Sequence, residues 1–285
     1  MSQLKGKVCI VTGSNSGIGK ETALALSNMG ATLVMAVRNR ERGEKAQAEI
    51  VSETGNPATH LMIYDQSSMN MIRQFAAEFK MNYDRLDVLV NNAGAFFSKR
   101  QTTIDGLEQT LAVDYLGPFH LTQELLPLLK SSAPSRIVNV GSGLEKSGRI
   151  DFDNFTSPKT YNAMSAYANA KLMLTMYTYE LAERLQNSEV TVNIVEPGFV
   201  ATNFGRNSGS RLLSLAYATM RPIQISAKKG AETIIYLASA REVEGVTGKC
   251  FSKLRETTTA KVSYDQQMRK RLWDVTAKLL GVTQR

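Results

Sequence analysis

The chain has 285 residues, 43% of them hydrophobic and 21% charged, the composition of a folded globular protein and not of a disordered or fibrous one. No apolar run approaches the roughly 20 residues that span a bilayer; two cysteines do not make a disulfide framework, and His60 and His120 lie far apart with no metal-ligand spacing to either cysteine, so neither a zinc site nor a histidine-based triad is expected. The net charge of +8 suits a phosphorylated ligand; no zinc-finger or RNA-recognition spacing accompanies it, so no specific nucleic acid is expected.

Strand and helix signals then alternate along the chain. Met1 to Lys7 leads directly into a first strand, Lys7 to Thr12, so neither a signal peptide nor a membrane anchor is expected and the cytoplasm is the expected location. Ile18 to Met29 carries apolar residues at helical spacing. Thr32 to Val37 reads as a second strand, Glu41 to Thr54 as a charged helix, His60 to Asp65 as a third strand and Met69 to Lys80 as a third helix. Leu86 to Gly94 reads as a strand running into a tight turn. Leu107 to Lys130 is expected to form one long helix, bent near Gly117 and Pro118. Arg136 to Val140 predicts a fifth strand, Ala163 to Leu185 a long helix and Val190 to Gly198 a sixth strand. Ala227 to Ala240 is helical, Gly248 to Lys253 a last strand and Tyr264 to Leu280 a closing helix. Repeated β-α-β units with apolar strands predict an α/β fold, a doubly wound parallel sheet with helices on both faces, in one domain over residues 1–285. Ligands of such sheets bind at the carboxyl ends of the strands.

Gly13-Ser14-Asn15-Ser16-Gly17-Ile18-Gly19 joins the first strand to the first helix. Glycines let backbone approach a pyrophosphate closely, and the helix that follows offers free N–H groups and the positive end of its dipole. The spacing, G-x-x-x-G-x-G, is neither that of the common dinucleotide fingerprint nor of a P-loop. Strand two ends Ala36-Val37-Arg38-Asn39, and the first acid, Glu41, lies already in the helix. An acid at the strand end would bind the ribose 2′-hydroxyl of NAD; an arginine there receives the 2′-phosphate of NADP. Arg38 therefore points to NADP(H).

Tyr167 and Lys171 are four residues apart and share a helix face. A free tyrosine titrates near ~10, too high for a base at neutral pH, and a neighbouring ammonium lowers that value. Small neighbours, Ala166, Ala168 and Ala170, leave room for a ligand.

Taken together, these motifs resemble the short-chain dehydrogenase/reductase family over essentially the whole chain. The resemblance rests on the loop Thr12 to Gly19, the turn Asn91-Asn92-Ala93-Gly94 after strand four, Ser142 after strand five, the Tyr167/Lys171 pair, and Pro197-Gly198 followed by Thr202 after strand six. A finer likeness, to the retinol-dehydrogenase-like branch, lies in the stretch from Ser142 to Tyr167 and in the tail Arg271 to Gly281. The family implies a Rossmann fold with a seven-stranded parallel sheet and an NADP(H)-dependent exchange of hydride with the carbonyl or alcohol of a small-molecule substrate; the apolar middle of Asn203 to Ser226, flanked by glycine and serine, suits a lipophilic one. The family also implies Tyr167 as acid/base, Ser142 as the group that polarises the substrate oxygen, and Lys171 on the nicotinamide ribose. Asn92, Ala93 and Gly94 would line the adenosine ribose and Asp65 the adenine; Gln66 beside it is assigned to the cofactor too, and Val200 and Thr202 would hold the carboxamide end. Where the family usually has asparagine in the helix after strand four, this chain has Asp114, which is assigned to the catalytic set in its place, a departure that leaves the Ser-Tyr-Lys core intact; a nucleotide-binding sensor with little turnover is the alternative reading. Asn203 to Ser226 is either a substrate lid or an ordinary surface helix, and residues 255–285 form a C-terminal extension. A homodimer or homotetramer through the helices Leu107–Lys130 and Ala163–Leu185 is expected.

Overall fold

The computed structural model describes residues 3–156, 161–200 and 225–282. Among these residues eight strands form one sheet in the order β3-β2-β1-β4-β5-β6-β7-β8: β1 Val8–Thr12, β2 Thr32–Val37, β3 Thr59–Ile63, β4 Val88–Asn91, β5 Ser135–Val140, β6 Val190–Val195, β7 Cys250–Ser252 and β8 Arg255–Thr257. β3 to β7 are parallel, as runs such as VCIVT, buried at every position, require. The order reverses beside β1, where Ile10 pairs with Val34 on one side and Leu89 on the other, opening the crevice that receives ligands in such sheets.

The expected count of seven parallel strands is corrected by β8, which returns antiparallel to β7 with Ser252 opposite Arg255. The two residues between them, Lys253 and Leu254, both adopt positive φ (51° and 63°). That is the geometry of a two-residue hairpin turn, built here without the Asn-Gly or Gly signal that usually announces one.

Helices cover both faces. α1 Gly17–Asn28, α2 Arg40–Thr54 and α7 Ala227–Ser239 bury Val11, Leu33, Met35 and Val90 on one side. On the other, α3 Met69–Asn82, α5 Gly117–Ser131, α6 Ala163–Arg184 and α8 Gln266–Leu280 enclose Ile10, Val34, Leu89 and Ile137. The single helix expected over Leu107–Lys130 is instead a short α4, Gln109–Leu111, a π turn, Ala112–Leu116, and α5. The break falls just before Gly117-Pro118, where proline lacks the N–H that would continue the ladder.

The C-terminal segment lies against α5 and α6. Trp273 of α8 packs edge-on to Phe119 (5.1 Å between centroids) and stacks on Tyr177 (5.8 Å), with the Arg184 guanidinium 4.1 Å from its ring. Tyr115 and Thr276 share a hydrogen bond of 2.7 Å. Every residue of α6 from Lys171 to Ala182 is buried within one chain. The chain's own C-terminal helix occupies that face of α6. Trp273→Ala should cost about 3–5 kcal/mol, the range for deleting a buried large aromatic, read by urea denaturation followed by circular dichroism. A loss below about 1 kcal/mol would show that α8 is only loosely attached.

Candidate active site

The loop between β1 and α1 is fastened to the turn after β4. Thr12 Oγ1 accepts the N–H groups of Asn92 and Ala93, both at 2.9 Å, and the Thr12 carbonyl accepts Asn92 Nδ2 at 2.7 Å. Gly13 has φ +67°, and a Cβ on Gly19 would come within 2.5 Å of the Gly13 carbonyl and onto the Asn92 amide. Only glycine fits this fold-back. α1 begins at Ser16, whose side chain caps nothing, with no acid in the first turn. By contrast α2, α3, α6, α7 and α8 are capped by Asn39, Ser68, Asn162, Ser226 and Asp265. The hydroxyls of Ser14 and Thr22 are buried without a hydrogen-bond partner. An uncapped helix start behind a glycine loop, with orphan hydroxyls beside it, fits the phosphates of a dinucleotide.

Along the crevice edge, Arg38 stands exposed after β2, next to the α2 cap Asn39. Asp65 Oδ1 accepts from both the amide and the hydroxyl of Ser67 (2.9 and 2.7 Å). Gln66 points inward: its amide donates to the carbonyls of Ala93 (2.9 Å) and Val113, and it accepts the Tyr64 hydroxyl at 3.1 Å. Its side chain therefore braces the turn and the π turn from beneath. Val200 is buried and bridges to Ile225. Thr202 and the stretch 203–224 lie outside the described residues; Ser226 caps α7.

Past the turn, Tyr167 and Lys171 project from the first turns of α6, 6% and 4% exposed. Lys171 Nζ lies 5.6 Å from the centre of the Tyr167 ring, donates to the Val140 carbonyl at 3.0 Å, and pairs with Asp114 Oδ1 at 3.2 Å. The Asp114 carboxylate also accepts the Ala95 N–H at 3.3 Å. Burial raises its pKa to about 6, against the lowering by Lys171. Ser142 begins the 3₁₀ turn Gly143–Ser147, its hydroxyl accepting the Leu144 N–H at 3.3 Å. Phe96 sets its ring edge-on to Tyr167 at 6.0 Å. Ala168 and Ala170 are 1% exposed and face the interior, so the expectation that they leave room for a ligand is corrected.

Three contributors escape a reading of motifs. Thr12 belongs to the glycine-loop motif, but nothing in spacing shows its hydroxyl reaching Asn92. Phe96 sits in an unpatterned loop. Tyr161 fastens that loop, donating to the Phe97 carbonyl at 2.7 Å and sharing a 2.9 Å bond with Thr110.

The arrangement has counterparts. The profile of the family described as short chain dehydrogenase matches residues 7–212, and the chain belongs to that family of alcohol and carbonyl oxidoreductases. Human retinol dehydrogenase 13 is 40% identical over 284 residues, covering 98% of this chain and 86% of that protein. Human retinol dehydrogenase 14 is 39% identical over 299 residues, covering 98% and 88%. Among solved structures, an uncharacterised protein of Mycobacterium paratuberculosis superposes with a TM-score of 0.79 at 26% identity, over 97% of this chain and 94% of its own. The Pseudomonas aeruginosa RhlG/NADP active-site complex does so with a TM-score of 0.71 at 25% identity, over 88% and 96%. No helix among the described residues is long and apolar enough to cross a membrane.

The raised pKa of Asp114 has a thermodynamic signature. The folded protein holds this proton more tightly than the unfolded chain, so the folded state loses stability as pH rises from about 4, where the unfolded carboxyl ionises, to about 6, and no further above. Asp114→Asn cannot ionise. Removing the carboxylate leaves the Lys171 ammonium without that partner, a cost present at every pH, but relative to wild type the variant's stability should rise between pH 4 and pH 7, over the range where the wild type loses stability. Thermal melts across this range check the expectation; a constant difference at every pH would show that Asp114 titrates normally.

Proposed function

We propose that the chain is an NADP(H)-dependent oxidoreductase that interconverts a lipophilic carbonyl compound and its alcohol, with Tyr167 as proton donor and acceptor, Lys171 beside it, and Ser142 on the substrate oxygen. The observation that carries this reading is the buried Lys171 ammonium 5.6 Å from the Tyr167 ring, at the carboxyl edge of the sheet beside a glycine loop able to hold phosphates. The bound nicotinamide supplies or accepts the hydride. In reduction Tyr167 gives its hydroxyl proton to the carbonyl oxygen as hydride reaches the carbon, and in oxidation it takes that proton back. The Lys171 ammonium favours the phenolate form that the second direction needs. Ser142 accepts from Leu144 and keeps its own hydrogen for the substrate oxygen, where it favours developing negative charge.

Arg38 supports the phosphorylated cofactor, because its planar guanidinium suits a 2′-phosphate and no acid stands at the strand end. A lipophilic substrate is supported by exposed apolar side chains near the site: Leu144 in the turn after Ser142, Met164 in the first turn of α6 ahead of Tyr167, and Phe199 and Ile225, whose backbones are hydrogen-bonded beyond Pro197. The names of the two human relatives point the same way, to retinoid-like alcohols and aldehydes as the first compounds to try.

Arg38→Ala should raise the KM for NADPH roughly 10- to 100-fold, the loss of a charged contact worth about 1.5–3 kcal/mol, and leave that for NADH nearly unchanged. Equal effects on both cofactors would end the NADP assignment. Tyr167→Phe should abolish turnover of aldehydes and ketones while NADPH still binds, as followed by nucleotide fluorescence. Full activity in this variant would refute the proton-transfer role.

A further inference from the structure

Asp114 is the charged group at this site that the proton-transfer reading leaves unused. It lies in the π turn with no solvent exposure. One carboxylate oxygen holds Lys171 and the Ala95 N–H; the other, Oδ2, is buried with no hydrogen-bond partner. The Gly94 backbone closes over the pair: a Cβ there would stand 2.7 Å from Asp114 Oδ1 and 3.4 Å from Lys171 Nζ. Other titratable groups reach Asp114 from each packed element. Lys171 faces it from α6, with Tyr167 beyond that ammonium; Glu108 repels it from the head of α4; Tyr161, ahead of α6, feels its charge.

An uncharged side chain here would leave the Lys171 ammonium unopposed toward Tyr167. A carboxylate at 3.2 Å makes the pair neutral, and much of the ammonium's field at the tyrosine is cancelled. We propose that Asp114 is a positioning residue for proton transfer: paired with Lys171, it offsets the ammonium at Tyr167 and keeps Tyr167 in the protonated form that carbonyl reduction uses. The inference rests on the roles of Tyr167 and Lys171 given above. Reduction needs a tyrosine that gives a proton, and oxidation needs a phenolate that takes one. With its pKa at about 6, Asp114 is ionised at neutral pH, so the cancellation operates there and lapses in acid.

Asp114→Asn and Asp114→Ser, both neutral and of different size, test this, with thermal melts to identify the folded variant. Tyrosinate difference absorbance of the protein without cofactor, with Tyr167→Phe subtracted, follows the Tyr167 proton directly. The subtraction matters because Tyr64, Tyr115, Tyr177 and Tyr179 also titrate, pushed up by burial. In a folded neutral variant the Tyr167 titration should move to lower pH by on the order of one unit, because removing the carboxylate beside Lys171 restores the ammonium's field at the ring 5.6 Å away. The base limb of kcat for aldehyde reduction and the acid limb of kcat for alcohol oxidation should fall with it, while turnover persists. An unmoved titration, or one moved to higher pH, overturns the role of Asp114. Full turnover in Tyr167→Phe would instead overturn the assignment of Tyr167, so the two failures are distinct.

Discussion

An ammonium inside a protein has to be matched there, because taking it out of water costs several kcal/mol. Matching Lys171 ties three elements together. Its Nζ binds the carbonyl that ends β5 and the carboxylate of the π turn, so α6 is held against the sheet and against the α4–α5 segment by one side chain. Asp114 reaches Lys171 from the π turn. Wider than an α-helical turn, that turn shifts the side chains that follow relative to a regular ladder. Gln66 steadies the arrangement from below, holding the carbonyls of Ala93 and Val113 on either side.

A second set of buried polar contacts links the strand ends to the helices. Asn91 donates to Thr122 (3.0 Å) and to Asn139 (2.8 Å), and Asn139 donates to Thr178 (2.9 Å). Thr122 in turn reaches the Pro118 carbonyl at 2.7 Å. β4 and β5 are thereby joined to α5 and α6 by side chains in a region of low dielectric, where satisfied hydrogen bonds are strong and slippage would leave groups unpaired. The Thr12 hydroxyl does the same for β1 and β4. The functional side chains thus stand on secondary structure fixed at both ends, which is the preorganisation that proton transfer between precisely placed groups requires.

What could be read from the residues alone was what repeats or what has a fixed spacing. Apolar runs gave the parallel strands because both faces of the sheet are covered, and glycine, asparagine, tyrosine and lysine motifs gave the crevice because their chemistry needs those residue types in order. Features set by tertiary contact were not visible. β8 follows a turn of two non-glycine residues at positive φ, which no local rule would select. The π turn depends on packing and not on propensity. Gln66, itself assigned to the cofactor, gives its side-chain amide to the buried carbonyls of Ala93 and Val113, contacts that no spacing shows. Asp114 was legible as a departure from a pattern, but its contact with Lys171 was not, since the two residues are 57 positions apart and meet only in three dimensions.

The C-terminal helix bears on association as well as stability. α6 is nearly continuous in buried residues, and a helix apolar on all sides must be covered on all sides. A partner subunit can provide that cover; here Trp273, Leu272, Ala277 and the stacked Tyr264 against Tyr179 provide it from the same chain. The polar edge is matched too, with Arg269 bound to Glu183 at 2.7 Å and close to Glu180 at 3.8 Å. Cover supplied within the chain carries no loss of translational freedom, whereas cover supplied by a second copy does. Association through this face would therefore require α8 to leave, exposing an aromatic surface built around Phe119 and Tyr177.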